Sequence, residues 1–525
     1  MRAHRLLVAI LGSLLMTALL GSAVGTVSAK SSSSNTPVEG GTLTAGRECD
    51  VVTWDPALIN ENCSLWAAKQ VEGTLVQVTP NGKGIAPDIA KSWTISSNGL
   101  VYTFHLFPQA KFCNGTQITS SDVLYSFTRE STPTAIVAWQ FPSSFTMSAP
   151  NATTVVLTLK QPEAAFISFL TLWGTAISSQ AYGQQVGSQG LATKPLGSGP
   201  FCLASWERGT EIKLTRNPYY WLTDSKGRRL PYLNAVHWEI IANDNARVLA
   251  LESGQVQAIT PVPPAQYNSL SRYQGVVAKE SPLLGEAQLF VNVHKACLSS
   301  IDVRQALNYA VDQPALIKAV LFGHGIYVGN PLDNAEWSTN AFGYTYDLSK
   351  ARHLMAISPC AHGFTTTAIY DSGDTVAEAT LTILKAEWAK LKVNLNILSL
   401  ESGSEYAAEN SGNFDMYWNV LTNDIYDPAE NLDYEMLPSS AGGSDSGFTG
   451  WSNATVTKLV SEAAANRNPE TRSRLYREIQ QIYVRQGPLV YIFTPNNLWA
   501  TRSDVGGFSE FGTGTQDLTL TWVKH

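Results

Sequence analysis

The sequence lacks the short motifs by which most enzymes are recognised. It contains no Gly-x-Ser-x-Gly elbow, no Walker phosphate loop and no His-Glu-x-x-His zinc motif. The histidines are scattered along the chain, and none stands one helical turn from another. There is no Cys-x-x-Cys pair, which argues against a zinc ribbon or a thioredoxin-like site. These absences predict a protein that is not an enzyme and that holds neither a metal nor another cofactor.

Charge is also scarce, and no stretch concentrates the positive sign. Charged residues make up 15% of the chain, and the formal net charge is −7. Without a basic stripe, nucleic acid is not an expected partner, and neither is an anionic membrane surface. Hydrophobic residues make up 44% of the 525 residues, so the chain is globular. It is too long for one hydrophobic core, which predicts two or more lobes.

Long apolar runs are missing except at the N-terminus. There a positively charged start precedes an apolar run over 6–20 and a small-residue cleavage pattern that ends at Ala29. We predict a signal peptide over 1–29 and a flexible, serine-rich leader over 30–38; the alternative is an N-terminal membrane anchor. A twin-arginine pair and a lipoprotein cysteine are missing, because the first cysteine is Cys49. The expected location is the periplasm or the outer face of the cell membrane.

Six cysteines fit an exported protein with up to three disulfide bonds. The sequence alone leaves the pairing open, because cysteine spacing does not determine connectivity. One arrangement joins cysteines that are near in sequence and then the two that remain: Cys49 with Cys63, Cys297 with Cys360, and Cys113 with Cys202.

Hydrophobic periodicity predicts a mixed α/β fold. Short strands with alternating apolar residues dominate 41–290, whereas the last third is more helical. A helix that Asp374 caps is followed by a strand over 392–398. A helix that Asn468 opens is followed by a buried strand over 489–493. Strands that alternate with helices in this way are typical of an α/β lobe.

The most informative stretch runs over 292–323. Asp302 stands where an N-cap belongs, and Gln305 stands where its capping-box partner belongs. Apolar residues then recur at helical spacing up to Val311. Pro314 opens a second helix, because proline is favoured in the first turn. Physics alone therefore predicts a packed pair of helices.

The wording of this stretch resembles a signature of the extracellular solute-binding proteins of the peptide/nickel type, family 5. The residues at matching places are Arg304, Gln305, Ala306, Leu307, Ala310 and Asp312. Further stretches resemble the same family in the same order, namely 41–43, 54–56, 86–93, 99–115, 119–129, 195–201 and 216–221. The resemblance covers nearly the whole chain after the predicted signal peptide.

The resemblance implies a two-lobe, hinged periplasmic-binding-protein fold of the large class, with an inserted extra subdomain. The implied segments are 39–75, 196–290 and 490–525 for a discontinuous lobe 1, 76–195 for the inserted subdomain, and 291–489 for lobe 2. The implied function is that of the substrate-binding protein of an ABC importer. A small solute, typically an oligopeptide or dipeptide, is captured between the lobes and passed to membrane permease subunits. The protein is expected to act as a monomer.

The best candidate for a ligand site lies within 413–433. Residues 414–420 alternate as a strand would, and polar residues follow in a loop, where α/β lobes place their binding groups. In peptide-binding relatives the matching stretch carries an aspartate that neutralises the peptide's α-amino group, and by that match Asp424 takes this role. The predicted contacts on this side are Trp418, Asn419, Val420, Leu421, Thr422 and Asp424.

An ammonium group that is buried on lobe closure needs a charged partner, which is the physical reason for expecting a carboxylate here. The alternative for Asp424 is a solvated turn residue or a loop cap. On the opposite lobe, Ile59, Asn60 and Glu61 match a loop that runs beside the bound peptide in relatives. The alternative for these three residues is an ordinary surface loop.

Two other functions compete with peptide capture. A secreted hydrolase would bind and cut a peptide or glycan, but the missing nucleophile and metal motifs argue against it. An oligosaccharide ligand would keep the fold, and 14 tryptophans leave room for it. The sequence also departs from the family where a Gly-Trp pair is replaced by Val420 and Leu421, and where Ile425 replaces the tyrosine after the aspartate. The scattered histidines argue against nickel.

Overall fold

One large mixed β-sheet connects most parts of the protein. This computed structural model describes residues 36–133, 135–327, 329, 332, 343–438 and 446–524. The predicted signal peptide and nearly all of the predicted leader lie outside the described residues. No helix in the described ranges is both long and apolar enough to cross a bilayer.

The strands of the described part, in chain order, are β1 (Thr42–Arg47), β2 (Val76–Val78), β3 (Ile85–Pro87), β4 (Ala90–Ile95), β5 (Val101–Leu106), β6 (Phe145–Asn151), β7 (Thr154–Leu159), β8 (Phe201–Glu207), β9 (Glu211–Arg216), β10 (Ala235–Ile240), β11 (Ala258–Thr260), β12 (Val276–Pro282), β13 (Gly285–Val291), β14 (Gly325–Ile326), β15 (Phe364–Asp371), β16 (Val393–Leu400), β17 (Met416–Thr422), β18 (Leu489–Arg502), β19 (Val505–Gly506) and β20 (Trp522–Val523).

The α-helices, in the same order, are α1 (Asn62–Val71), α2 (Ser120–Glu130), α3 (Phe166–Phe169), α4 (Gln180–Thr193), α5 (Asp244–Ser253), α6 (Pro264–Leu270), α7 (Ile301–Tyr309), α8 (Gln313–Val320), α9 (Leu348–Ile357), α10 (Thr375–Ala389), α11 (Ser402–Asn410), α12 (Ala429–Asn431), α13 (Ser446–Thr449), α14 (Ala454–Ala465) and α15 (Pro469–Gln486). A π-helical turn, Leu432–Met436, continues α12.

The order of strands in the large sheet is β16-β15-β17-β13-β18-β11-β1-β10-β9-β8, and β12 and β14 also pair with β18. Parallel pairs join β1 to β10 and β11, and join β15 to β16 and β17. A separate sheet has the order β4-β5-β7-β6 and is antiparallel. Parallel pairing needs helical crossovers, so this topology confirms the predicted mixed α/β class.

Three large apolar clusters fill the protein. The first packs β13, β15, β16 and β17 against α7, α10 and α15. The second lies under the four-stranded sheet, and the third surrounds β1, β9 and β10. Each cluster, together with the strands and helices around it, forms a region that we call a body.

A single strand, β18, belongs to two of these bodies. Its first half, Leu489 to Phe493, pairs with β13, and its second half, from Asn496 onward, pairs with β12. β12 and β13 are consecutive in the chain and are separated by Leu283 and Leu284. The backbone therefore passes twice, side by side, between the body around β13 and the body around β1.

The signature stretch folds into the predicted helix pair, but its first cap differs from the prediction. Helix α7 begins at Ile301 with Ser300 as N-cap, so the predicted cap at Asp302 is wrong. The side chain of Gln305 donates a hydrogen bond to the carbonyl oxygen of Arg485 at 2.9 Å and so contacts the neighbouring helix. The second helix, α8, begins beside Pro314 as predicted, after a side-chain cap by Asp312.

The other predicted caps and the disulfide arrangement are found. Asp374 caps α10 through the N–H of Ala377, and Asn468 caps α15 through the N–H of Thr471. Disulfide bonds join the pairs that are near in sequence and the two cysteines that remain: Cys49–Cys63, Cys297–Cys360 and Cys113–Cys202.

Arg304 of the signature holds the start of α7 against the end of α15. The guanidinium is buried and donates hydrogen bonds of 2.6–3.1 Å to four backbone carbonyl oxygens, those of Leu298, Ser299, Gln486 and Gly487. Burial lowers the pKa of Arg304 to about 10, so the side chain stays charged at neutral pH. Its partners are carbonyl dipoles rather than a carboxylate.

Replacing Arg304 by methionine is expected to lower the free energy of unfolding by roughly 3 kcal/mol, because buried carbonyl groups that lose their partners each cost about 1–3 kcal/mol. Urea unfolding followed by far-UV circular dichroism measures the change. The control is Arg352→Met on the exposed side of α9, where a change within about 0.5 kcal/mol is expected. Equal losses in both variants would contradict the role given to Arg304.

Candidate functional site

A cavity of ≈ 310 Å³ opens where the loop after β17 faces α1. Its wall is assembled from six separate parts of the chain. These are Leu65 and Lys69 of α1, the turn Asn81–Lys83, residues Thr171–Trp173, Leu284, the pair Asp424 and Tyr426, and the C-terminal segment Phe511–Thr513. A cavity of this size lies at the small end of ligand pockets, which measure roughly 300–1,000 Å³.

Strand β17 carries the loop to the cavity. Its first residues are buried between β13 and β15, which fixes the strand, whereas 419–422 are only partly buried. Trp418 is buried against Phe493, and its indole N–H donates to Asp374 Oδ2 at 3.0 Å. Trp418 therefore packs in the core beside the sheet.

Asn419, Val420, Leu421 and Thr422 pair in register with residues of β13, from Gln288 to Gly285. The close approach of the two strands requires a glycine at 285, because a Cβ there would lie 2.1 Å from the carbonyl oxygen of Leu421. These four residues form the end of β17 and lead into the loop that follows it. Their contact with a ligand stays a prediction.

The predicted loop on the opposite lobe, residues 59–61, packs behind the cavity wall. Ile59 is fully buried, and its carbonyl oxygen accepts a hydrogen bond from the indole of Trp173 at 3.0 Å. Glu61 caps α1 by accepting the N–H of Ser64, and Asn60 is exposed. Trp173 lies in the cavity wall, so Ile59 fixes a wall residue. Direct ligand contact by Ile59, Asn60 and Glu61 also stays a prediction.

Asp424 is the predicted residue that the structure places in the cavity wall. Its Oδ1 atom is shielded from solvent and has no hydrogen-bond partner among the residues that the structure describes. Burial raises the pKa of Asp424 to about 7, and a hydrogen bond with Glu430 offsets part of that effect. Asp424 is partly buried, and its role as amine anchor stays a prediction beside the alternative of a turn residue or loop cap.

Glu430 lies directly behind Asp424. Pro428 starts α12, which turns Glu430 back so that its Oε2 atom accepts the backbone N–H groups of Asp424 at 2.8 Å and Ile425 at 3.0 Å. Burial, and secondly the charge of Asp424, raise the pKa of Glu430 well above its ordinary value. The charge of Asp424 therefore opposes ionisation of the neighbouring Glu430 carboxyl group.

A bidentate ion pair fixes the far end of the same loop. Arg472 of α15 donates to both carboxylate oxygens of Asp427, at 2.7 and 2.6 Å, and also contacts the hydroxyl of Tyr476. Burial, and then the charge of Asp427, raise the pKa of nearby Glu163 to about 7. Burial, Glu163 and Asp427 raise that of Asp433 to about 8. The charge of Arg472 thus acts on Asp427 directly and also lowers the pKa of Glu163.

Two lysines also line the cavity. Lys69 lines the cavity, and its ammonium donates to the carbonyl oxygen of Thr171 at 3.1 Å. Burial lowers the pKa of Lys69, while the charges of Asp88 and Asp517 raise it. Lys83 also lines the cavity, and its Nζ atom lies 5.4 Å from the ring centre of Tyr426. The lining of the cavity therefore combines one acid, Asp424, with two lysines.

Direct contacts join the two sides of the cleft beyond the cavity. Ile425 and Ala429 pack on an apolar cluster formed by Ala165, Phe169 and Leu172. The N–H of Ala164 donates to the carbonyl oxygen of Ala464 at 2.8 Å. Arg467 Nη1 donates to the carbonyl oxygen of Ser96 at 3.0 Å. The described structure is therefore a closed form of the cleft at this edge.

Sequence reasoning missed the cavity residues that come from distant segments. Lys69 and Trp173 stand in ordinary helical and turn sequences, and nothing local marks them. The segment 511–515 could have been noticed from its alternating glycines, since Gly514 adopts a φ of 73° in a tight turn. Among the described residues, no three His, Cys, Asp or Glu side chains are placed to hold a metal ion.

Comparison with known proteins gives consistent results. The family described as bacterial extracellular solute-binding proteins, family 5 (middle region), matches residues 84–443. The Escherichia coli (strain K12) probable D,D-dipeptide-binding periplasmic protein DdpA is 28% identical over 479 residues, which cover 89% of this chain and 91% of that protein. The glutathione-binding protein GsiB of the same strain is 26% identical over 478 residues, covering 87% and 89%.

Solved structures match over nearly the whole chain. The ABC transporter-associated periplasmic binding protein DppA from Helicobacter pylori, in complex with the peptide STSA, superposes with a TM-score of 0.83 at 26% identity. The match covers 93% of this chain and 99% of that one. The two-lobe periplasmic-binding-protein fold that the sequence predicts is thereby confirmed.

Replacing Arg472 by lysine is expected to loosen the loop that carries Asp424. Lysine keeps the charge but cannot donate two parallel hydrogen bonds to Asp427, so we expect a loss of about 1–3 kcal/mol in unfolding free energy. Urea unfolding measures this loss. The matched control is Arg474→Lys two residues away, where the exposed pair with Glu478 contributes at most about 1 kcal/mol. A larger effect at Arg474 than at Arg472 would contradict the assignment.

Proposed function

Because the chain belongs to family 5 of the bacterial extracellular solute-binding proteins, we propose that it captures a short peptide in the cleft beside Asp424 and delivers it to an ABC importer. The observation that carries this proposal is the pairing of charges in one cavity. Asp424, Lys69 and Lys83 all line this cavity. A peptide at neutral pH is a zwitterion, so its ammonium group suits Asp424 and its carboxylate group suits the lysines.

The volume of the cavity supports a small ligand. At ≈ 310 Å³, bounded by the described residues, it suits a peptide of a few residues better than a long one. DdpA is named for D,D-dipeptides, GsiB is named for glutathione, and DppA is bound to the peptide STSA. These ligands are all short peptides. We therefore propose a dipeptide or a short oligopeptide as the ligand of this chain.

The capture mechanism that we propose is closure of two lobes about the paired strands. Lobe 1, its inserted subdomain and lobe 2 would have the segments that the family resemblance implies. The hinge would lie where β12 passes into β13 and where β18 passes through Pro495, since the backbone crosses between bodies there. The apolar contact of Ile425 with Phe169 and Leu172 would form only when the lobes close.

The partners and the location follow from the same proposal. Family 5 proteins are exported, and the partners would be the permease subunits of an ABC importer. The protein would act as a monomer without nucleic acid or metal. The relatives are named for the solutes they bind rather than for a reaction, so neither a hydrolase nor a sugar-binding protein is favoured.

Native mass spectrometry of the protein purified from its own source tests the ligand class directly. We expect bound masses that match dipeptides or short oligopeptides and that are released unchanged on denaturation. A bound hexose oligomer would overturn the peptide proposal and leave the fold untouched. Cleavage of added peptides by the purified protein would overturn the transport proposal.

Replacing Asp424 by asparagine is expected to weaken peptide binding at least roughly tenfold, since a charge-assisted hydrogen bond contributes about 1.5–3 kcal/mol and ~1.4 kcal/mol is tenfold. Titration calorimetry with the Ala-Xaa dipeptide that most raises the melting temperature of the unaltered protein measures the change. Asp302→Asn in the first turn of α7, outside the cavity, is the control and should bind normally. Unchanged binding by Asp424→Asn would remove the amine-anchor role.

Lobe closure is tested by cross-linking. Because the N–H of Ala164 donates to the carbonyl oxygen of Ala464, the double variant Ala164→Cys with Ala464→Cys should form a disulfide only when the cleft closes. We expect saturating dipeptide to raise the cross-linking rate several-fold, measured by mass spectrometry of proteolytic fragments.

The matched control for cross-linking places the second cysteine at the other end of the same helix. In Ala164→Cys with Ala454→Cys, the helix rise of about 1.5 Å per residue moves the thiols roughly 15 Å apart, so no cross-link is expected. A rate that does not depend on ligand in the first variant would argue against hinge closure on binding.

A further inference from the structure

His324 stands between α8 and β14, next to the backbone crossings where the hinge is proposed. Its Nδ1 atom lies 2.9 Å from Oε2 of Glu280, which is on β12. Leu321, three residues before His324, belongs to the apolar cluster around β13, whereas β12 pairs with the second half of β18. The contact therefore joins the body around β13 to β12, on the other side of the crossings.

The backbone beside His324 is also bonded to the second crossing. Strand β14 pairs with β18 through Gly325 and Pro495, and the N–H of Asn496 donates to the carbonyl oxygen of His324 at 3.1 Å. The side-chain amide of Asn496 donates to the same Oε2 atom of Glu280 at 2.9 Å. The loop before β14 and the strand β18 thus converge on one carboxylate oxygen of β12.

Tyr267 of α6 packs against the imidazole of His324. The two ring centres are 4.5 Å apart, and Tyr267 is buried in an apolar cluster with Leu498 of β18. In the described part of the chain, the titratable groups in contact with the imidazole are therefore Glu280 on β12 and Tyr267 on α6, while β18 contributes the neutral amide of Asn496 beside Glu280. Burial, and then the charge of Glu280, raise the pKa of Tyr267, so the phenol stays neutral at physiological pH.

The strength of the contact depends on the charge of the imidazole. The side chain of His324 is 10% exposed and that of Glu280 is 37% exposed, so solvent screens the pair less than a pair on the open surface. Burial raises the pKa of Glu280, but hydrogen bonds from Asn496 and His324 lower it further, so the carboxylate stays ionised near neutral pH. Histidine side chains gain and lose their charge between pH 5 and pH 8, and a charge-assisted hydrogen bond is roughly twice as strong as a neutral one.

We propose that His324 and Glu280 form a pH-sensitive latch at the hinge, which stabilises the closed form of the cleft when the imidazole is charged and stabilises it less when the imidazole is neutral. The inference rests on the proposed function, since it requires that the lobes move about this hinge. Rotation there shifts the end of α8 relative to β12. A hydrogen bond of 2.9 Å is lost once its two atoms separate by less than about 1 Å more, so opening breaks the latch.

The direction of the pH dependence follows from linkage. The contact favours the charged imidazole in the closed form, so the closed form binds this proton more tightly than the open form does. The stabilisation is therefore present at about pH 5.5 and is lost as the pH rises toward about 8. Glu163 and Asp433, whose pKa values are raised to about 7 and about 8, also titrate at the cleft. The latch is therefore identified by the part of the pH effect that depends on His324.

Spin labels on the two sides of the cleft measure the closed fraction directly. Lys160→Cys and Lys458→Cys provide exposed positions on either side of the contact between Ala164 and Ala464, and all six native cysteines are paired in disulfides. Pulsed dipolar electron paramagnetic resonance of the ligand-free protein then gives the populations of the short and long distances. We expect the ratio of closed to open molecules to be at least about threefold higher at pH 5.5 than at pH 8.

His324→Gln removes the charge and keeps a side-chain N–H that can donate to Glu280. The pH effect on the closed-to-open ratio should fall at least about twofold, while circular dichroism confirms that the fold is kept. Glu280→Gln should reduce the pH effect equally, and the double variant should reduce it no further, because both changes break one pair. His237→Gln is the matched control and should keep the full effect, since the pair of His237 with Glu211 joins neighbouring strands of one body.

The same labels separate failure of the latch from failure of the proposed function. The Ala-Xaa dipeptide that most raises the melting temperature of the unaltered protein should shift the labels to the short distance at both pH values. If it does so but His324→Gln keeps the full pH effect, or His237→Gln loses as much of it, the latch is overturned and the proposed function stands. A distance that changes neither with pH nor with dipeptide would overturn hinge closure, and the latch with it.

Discussion

The long strand β18 is the constraint on which the rest of the structure depends. One half pairs with β13 and the other with β12, and β12 and β13 are themselves continuous, so two adjacent backbone crossings connect the bodies around β13 and β1. The absence of a side chain at Gly285, beside the first crossing, lets β17 approach closely, since a Cβ there would meet Leu421. The close pairing of β13 and β17 directs the loop after β17 toward α1. The position of the cavity thus follows from the strand pairing rather than from the residues that line it.

The closed cleft is electrostatically incomplete without a ligand. Hydrophobic contacts of Ile425 and Ala429 favour closure, but closure also shields Asp424 and Lys69 from water. Taking an isolated charge out of water costs several kcal/mol, whereas pairing it with a hydrogen-bonded opposite charge recovers much of that cost. A zwitterion that spans the cavity supplies both partners at once. In this account the ligand stabilises the closed form because it completes the pairing of charges, and the apolar contacts alone leave it incomplete.

Helix caps and apolar alternation were predicted well from the sequence, because each depends on residues that are near one another in the chain. Asp374 and Asn468 cap helices at the predicted positions, and the alternation that predicts β17 also places its loop at a strand end. The prediction that Asp302 caps α7 is wrong. Gln305, its predicted capping-box partner, instead donates a hydrogen bond to a residue of α15, far along the chain. The same reason hides most of the site. Lys69 reaches the cavity from a segment hundreds of residues away from Asp424, and no local pattern encodes that distance.

Charge also decides between the ligand classes that the sequence leaves open. A neutral sugar could hydrogen-bond to Asp424 and stack on Trp173, but it would bring no positive charge to Asp424 and Glu430. A site built for specific polar partners rejects an analogue that lacks them by roughly 10⁴–10⁵, because its own buried groups stay unpaired. Apolar contacts discriminate far less between ligands, since one methylene group more or less in a hydrophobic pocket is worth about 1–3 kcal/mol. The tryptophan content is therefore weak support for sugar, and the charged walls are strong support for a zwitterion.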